Sequence, residues 1–319
     1  MNNNEILKDT WKEIDKKLSL FLNDYRKINE ILRDEIQEIF NGASILASEM
    51  YSYSSNTVVN RFKRTIERNY NDLSGINKLK AKSFKNRTKI KNKDIYEFLI
   101  IMAYEKQQRK LDEIENQLFK EVSQEVYEKE MKELGKDKKL KDDWFLTILL
   151  LINARGYSWV DYINSTTNYS ASEIFRQMLL NIKQGRDLSV DKPEFKKIFD
   201  LQKKRLLNKK TNQNQLDKFS GALDEEVTMI VNYSKLQAYE DTGVTEIRFI
   251  AEVDDKTTPM CGTLNNQIFK IHEWNTYSRY SDNDKKNIIY KTKGLQVGDN
   301  LPPINNHFHW CRSTITYQV

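Results

Sequence analysis

The chain carries no proline in its first 192 residues; its four prolines are Pro193, Pro259, Pro302 and Pro303. Proline breaks a helix interior because its ring removes an amide donor and collides with the preceding turn. The stretch before Pro193 is therefore free to be nearly all helix. The last 75 or so residues are richer in turn residues and alternating segments. Hydrophobic residues at 39% and charged residues at 31% suit long helices with wide solvated faces. The expected class is α+β: a long, mostly helical N-terminal region, then a small domain with a short antiparallel sheet. The expected division is an elongated helical arm over 1–143 (hairpin or bundle), a helical middle region and linker over 144–221, and a C-terminal domain over 222–319.

Periodicity supports the helical part. Leu7, Trp11, Ile14, Leu18, Phe21, Tyr25, Ile28 and Leu32 are spaced alternately by four and three residues, the stripe of a helix packed along a seam. Glu35 occupies the next strict position, and the stripe resumes at Ile36 and Ile39. A second helical block is expected from about Asp94 to Leu134, with Leu111, Ile114, Leu118, Val122 and Val126 on its apolar face and Gly135 as its cap. A third runs from Trp144 to Arg155 before Gly156, and Ser170 with Glu173 has the spacing of a capping box. The tail of "KKIFDLQKKRLLNKKTNQNQ" has the polar composition of a linker. A further helix is expected from about Ala222 to Asp241, stopping at Gly243.

From Thr245 the period changes to two. Ile247, Phe249, Ala251 and Val253 alternate with polar residues, as in a strand with one buried face. "DDKTTP" reads as a turn, "NQIFKI" as a second short strand, and His307 to Thr316 as a final strand.

The scarce soft ligands gather at this end. Of three histidines and two cysteines, His307, His309 and Cys311 lie within five positions, and Cys261 precedes them by about fifty. On an extended tail these three side chains project to one face. With Cys261 they would complete a closed tetrahedral zinc site stapling the domain together. The same residues also fit two buried packing thiols, a disulfide, or histidines bonded within a turn. A catalytic zinc would need an open position and a general base, for which Asp254 or Asp255 is near in sequence.

Basic residues cluster elsewhere. Lys78, Lys80, Lys82, Lys85, Arg87, Lys89, Lys91 and Lys93 form a run with no acidic residue among them. Such a run either neutralises DNA phosphates or simply keeps a helix or loop face solvated. The rest of the chain offers little for catalysis: no phosphate loop, no nucleophile elbow, and few histidines for a triad. The N-terminus lacks the apolar core of a signal peptide, and the longest apolar run, Trp144 to Ile152, is too short to span a bilayer. A soluble intracellular protein is expected, with no membrane partner.

The segments "AEVDDKTTPMCGTLNNQIF" and "LPPINNHFHWCRSTI" together resemble the C-terminal signature of phage Mu F-like minor head proteins, also called head morphogenesis or minor capsid proteins. The matching residues are Asp255, Thr258, Cys261, Leu264, Phe269, Pro302, Pro303, His307, Cys311 and Arg312. The resemblance covers 222–319, is faint over 150–221 ("GYSWVDYI"), and is absent before that. Three departures stand out: Asn266 where the family usually has glycine, Asn232–Tyr233–Ser234 in place of an Arg-Thr-Glu triplet, and Asn305 and Asn306 inserted before the histidine. The resemblance implies a non-enzymatic role in head assembly at the portal and in DNA packaging or delivery. Portal, capsid or scaffold proteins and packaged DNA would be partners. The virion, and the host cytoplasm during assembly, would be the location. The residues leave open a metal-dependent nuclease or toxin-like effector with His307, His309 and Cys311 as ligands, and a stand-alone DNA-binding protein.

Overall fold

A computed structural model describes residues 2–46, 49–153, 209–251, 259–271 and 312–318. The protein is α+β. Its described elements are helices α1 (Asn3–Ile45), α2 (Asn56–Asn69) followed by a short 3-10 turn (Tyr70–Asp72), α3 (Gly75–Asn86), α4 (Asn92–Glu133), α5 (Asp142–Asn153) and α6 (Lys209–Thr242), then strand β1 (Glu246–Ile250), the short helix α7 (Pro259–Leu264), and strands β2 (Ile268–Lys270) and β3 (Thr314–Tyr317). The sheet is antiparallel throughout, in the order β2-β1-β3.

The chain forms two compact units that interleave in sequence. One comprises Met1–Phe21, Glu115–Val160 and Asp217–Val319; the other comprises Leu22–Ile114 and Asp161–Leu216. Helices α1 and α4 each contribute to both units.

In the second unit the stripe of α1 holds Leu32 and Ile36 as its spacing predicts, while Phe40 takes the buried place expected of Ile39. Leu32, Ile36, Phe40 and Ala43 are buried against Ile100, Ala103 and Tyr104 of α4. Glu35, the acid in the stripe, lies at the flank of this seam. It takes Lys106 Nζ at 2.7 Å and accepts from Gln107 Nε2 at 3.3 Å. Gly42 permits a close approach: a Cβ there would meet the Tyr96 hydroxyl at 3.0 Å. The region between α1 and α4 is more than a connection. α2 starts at an N-cap, where the Ser55 side chain accepts from the Val58 amide. Val59, Phe62 and Ile66 of α2 pack with Ala81 and Phe84 of α3 and Ile95, Phe98 and Met102 of α4. The rings of Phe62 and Phe84 meet edge-on at 5.4 Å.

In the first unit α1 opens with a reciprocal cap: Asn2 Oδ1 accepts from the Glu5 amide while Glu5 Oε2 accepts from the Asn2 amide. Leu7, Trp11, Ile14, Leu18 and Phe21 are buried. On α4, Leu118, Val122 and Val126 are buried, and Gly135 ends the block in left-handed backbone at φ 72°. α6 is covered on most sides over Val227–Tyr239, the condition of a central helix. It ends at Gly243, also left-handed, at φ 79°. Its beginning corrects the linker reading: the segment from Lys209 that reads as linker is helix. Polarity alone does not break a helix, and Lys and Gln are good helix formers.

The strands keep the expected alternation. Ile247, Phe249 and Ala251 point into a core with Leu236, Tyr239, Cys261, Leu264, Phe269 and Ile315. The described part of the final strand is Thr314–Tyr317; residues 307–311 lie outside the described residues, as do Val253, Ser170 and Glu173. α7 was not evident from composition; Pro259 opens it, at a position where the missing amide costs nothing.

Asn266 explains one departure from the family pattern. It lies at φ 66°, left-handed backbone, in the turn between α7 and β2, and its amide donates to Phe249 O at 2.8 Å. Glycine adopts this conformation freely and asparagine tolerates it. Asn266→Gly should therefore melt within a few degrees of the wild type. Asn266→Val should lose about 1–2 kcal/mol in chemical denaturation.

Candidate functional site: a buried polar seam

The signature residues that the structure describes serve the core and its attachment. Cys261, Leu264 and Phe269 are buried, at 3%, 0% and 1% exposure. They fill the space between the sheet and α6 together with Tyr239 and Ile315. Arg312 stands where β3 is entered and joins two helices. Its guanidinium takes Asp15 of α1 at 2.8 Å and Asp224 of α6 at 3.0 Å, and lies over the Trp11 ring at 5.2 Å. The Trp11 indole donates to the Arg312 carbonyl at 3.0 Å. Burial opposes the charge on Arg312, but the two carboxylates outweigh it and raise its pKa. At Asp224 burial prevails over the guanidinium, and the carboxyl is raised. Asp224 therefore takes up a proton more readily than an ordinary aspartate, while the arginine stays charged. An arginine can hold two carboxylates and stack on an indole at once because its donors are spread over a flat fork.

Beyond Arg312, side chains of α6 occupy the outer edge of β3. Asn232 is fully buried. Its Nδ2 donates to Ser313 O at 3.1 Å, and its Oδ1 accepts from the Ile315 amide at 3.1 Å and the Thr314 hydroxyl at 3.0 Å. The side-chain amide thus stands in for a neighbouring strand at an edge that β1 does not cover. One turn on, Lys235 Nζ donates to Ile315 O at 3.3 Å and to Thr10 Oγ1 of α1 at 3.1 Å, and pairs with Glu130 Oε1 of α4 at 3.1 Å. The other oxygen of Glu130 accepts from the Tyr239 hydroxyl at 2.7 Å. Burial, then the Glu130 charge, pushes the Tyr239 phenol well above its ordinary range. Each of the three ammonium protons of Lys235 has an acceptor. Such a group is held as an anchor, with no proton donor or lone pair spare for a substrate.

Two further side chains of α6, the buried Ser234 and the exposed Asp241, bond to α4. Ser234 donates to Ile230 O at 2.7 Å and meets Ser123 of α4 at 3.1 Å. Asp241 accepts from Tyr127 at 2.6 Å, Lys138 at 2.7 Å and Gln237 at 2.7 Å. Burial would raise Asp241, but these donors outweigh it and the carboxyl lies below its ordinary value.

The sequence singles out Cys261, Leu264, Phe269 and Arg312 only through the motif, and nothing in that motif marks Asn232, Lys235 and Glu130 as members of the seam. The signal was there: Glu130 falls four residues after Val126 on the apolar stripe of α4, and Asn232 and Lys235 interrupt the apolar run of α6. Of the proposed soft ligands, Cys261 sits in apolar surroundings. His307, His309 and Cys311 lie outside the described residues, as do Asp255, Thr258, Pro302 and Pro303. Among the described residues no three His, Cys, Asp or Glu side chains gather as metal ligands, and no helix is long and apolar enough to cross a membrane.

The basic run falls on another part of the fold. Lys78, Lys80, Lys82 and Lys85 lie on α3, Arg87, Lys89 and Lys91 follow it, and Lys93 begins α4. Lys80, Lys85 and Lys93 are paired with Glu97, Glu67 and Asp94. Arg87 stacks over Phe84, while Lys89 and Lys91 lie over the Tyr53 ring. No family model, no curated protein and no solved structure matches the chain.

Removing one partner of a buried ion pair strands the other. Lys235→Met should therefore cost about 3–5 kcal/mol of unfolding free energy. The double variant Lys235→Met with Glu130→Gln should recover a substantial part of that loss. Equal stability of the single and double variants in urea titrations would show that the charges are not coupled.

Proposed function

We propose that the protein is a minor head protein of the Mu F-like kind. It acts by binding in head assembly at the portal and in DNA packaging or delivery. The observation that carries this reading is the two-part signature, from Asp255 to Phe269 and from Pro302 to Arg312. Its support from the fold is the use made of the described signature residues. Cys261, Leu264 and Phe269 build a small module, and Arg312 ties that module to α1 and α6. Residues spent on building and fastening a module suit an assembly part that other proteins grip. The location is the phage head, interior or portal vertex, with the host cytoplasm during assembly.

Purified together with the portal protein of the same phage, the protein should elute with the portal oligomer. Separate elution at all mixing ratios would remove the reading.

A structural zinc held by Cys261, His307, His309 and Cys311 belongs to the same proposal. The apolar shell of Cys261 suits a closed metal site and a packed thiol alike. Elemental analysis of the purified protein should give one zinc per chain, lost on Cys261→Ser. Zinc-free protein with an unchanged melting temperature after chelation would leave Cys261 as a core thiol only.

A further inference from the structure

Charge is distributed very unevenly along this chain. Ser54 to Lys93 holds twelve basic and two acidic residues, a net of +10, whereas the whole chain carries +6; the remainder therefore sums to −4. Both acids of the segment are committed. Glu67 pairs with Lys85 at 3.2 Å, and Asp72 with Arg109 at 3.4 Å.

The fold turns this composition into a surface. On α2 the buried positions are Val59, Phe62 and Ile66. Arg61, Arg64 and Arg68 are exposed on the opposite face, at the three- and four-residue spacing of one helical stripe. Thr57 and Asn60 are exposed on the same side. On α3 the buried positions are Ala81 and Phe84, and Lys82 is exposed. The Lys85–Glu67 pair bridges α3 and α2, whose packing is apolar, so their exposed faces adjoin. Lys78 and Lys82 precede Lys85 by seven and three residues and so share its side of the helix. Among the described residues, Arg61, Arg64, Arg68, Lys78, Lys82 and Lys89 have no carboxylate partner.

We propose that the exposed face of α2, with Arg61, Arg64 and Arg68, joins Lys78 and Lys82 of α3 to form a binding surface for the phosphate backbone of duplex DNA. Arginine offers a planar fork that fits a phosphate with two hydrogen bonds, and Thr57 and Asn60 add neutral donors at the same face. A helix stripe of three arginines spans about 10 Å, enough to meet successive phosphates of one strand. The affinity is independent of sequence, because backbone contacts carry no base information. Three lysines of the run, Lys80, Lys85 and Lys93, serve mainly to neutralise the protein's own acids.

This supplies the DNA-facing half of the assembly reading and rests on it only for its biological setting. The test uses the full chain and a short fluorescent duplex, with anisotropy read at several salt concentrations. Log affinity should fall linearly with log salt. The variant R61Q/R64Q/R68Q should lower the slope by roughly 2–3 and the affinity at 0.1 M salt by roughly a hundredfold. The variant K8Q/K12Q/K16Q, which removes the same charge from exposed positions of α1, should change neither appreciably. Equal losses in the two variants, or no duplex binding by the wild type, overturn the proposal. Binding to phosphatidylserine vesicles without binding to duplex overturns it in favour of a membrane surface. A chain that elutes with portal but ignores DNA sinks this surface and leaves the assembly role standing; one that binds DNA but not portal does the reverse.

Discussion

The outer edge of β3 is the constraint around which the first unit is arranged. A strand at the rim of a sheet has backbone groups that must find partners. Here they find them on a helix. Asn232 serves the Ser313 carbonyl and the Ile315 amide, and Lys235 serves the Ile315 carbonyl. Meeting that need requires burying an ammonium group, and burying it requires a counter-charge. Glu130 of α4 provides the charge, and Tyr239 and Thr10 complete the hydrogen bonding. A requirement that begins in a four-residue strand thus fixes polar residues on α1, α4 and α6.

The soft contacts follow the same plan. Ile247, Phe249, Leu264, Phe269 and Ile315 form an apolar layer on one side of α6, with Cys261 among them. Arg312 closes the arrangement at the point where the chain enters β3, pairing with both Asp15 and Asp224 while stacking on Trp11. The charged groups specify how the pieces meet, and the apolar layer supplies most of the driving force.

Much of this was legible before the fold. The stripe from Leu7 to Leu32 needed only its spacing, because a helix buries one face whatever its partner. The strand at Ile247 to Ala251 needed only its alternation, and Gly135 and Gly243 mark helix ends because both must turn left-handed. What escaped was of two kinds. α2 carries a helical stripe in Val59, Phe62 and Ile66 that is short and easily missed, and the part of α6 from Lys209 to Ser220 is too polar to announce itself by periodicity, though nothing in it forbids a helix. The partnership of Glu130 with Lys235 joins residues 105 positions apart, and no local pattern carries a contact of that range. At Asn266 the residue type hinted at its backbone, since asparagine replaces glycine most readily where φ is positive.

The interleaving of the two units has a consequence for how the chain comes off the ribosome. The clusters that α1, α2, α3 and α4 form in the second unit draw on residues from Leu32 to Tyr104. The first unit needs both Trp11 and Arg312. Trp11 and Asp15 of α1 therefore meet Arg312 only after some three hundred further residues are synthesised. During that interval the Trp11 indole and the Asp15 carboxylate stand without that partner, and a holding chaperone would find its first grip there.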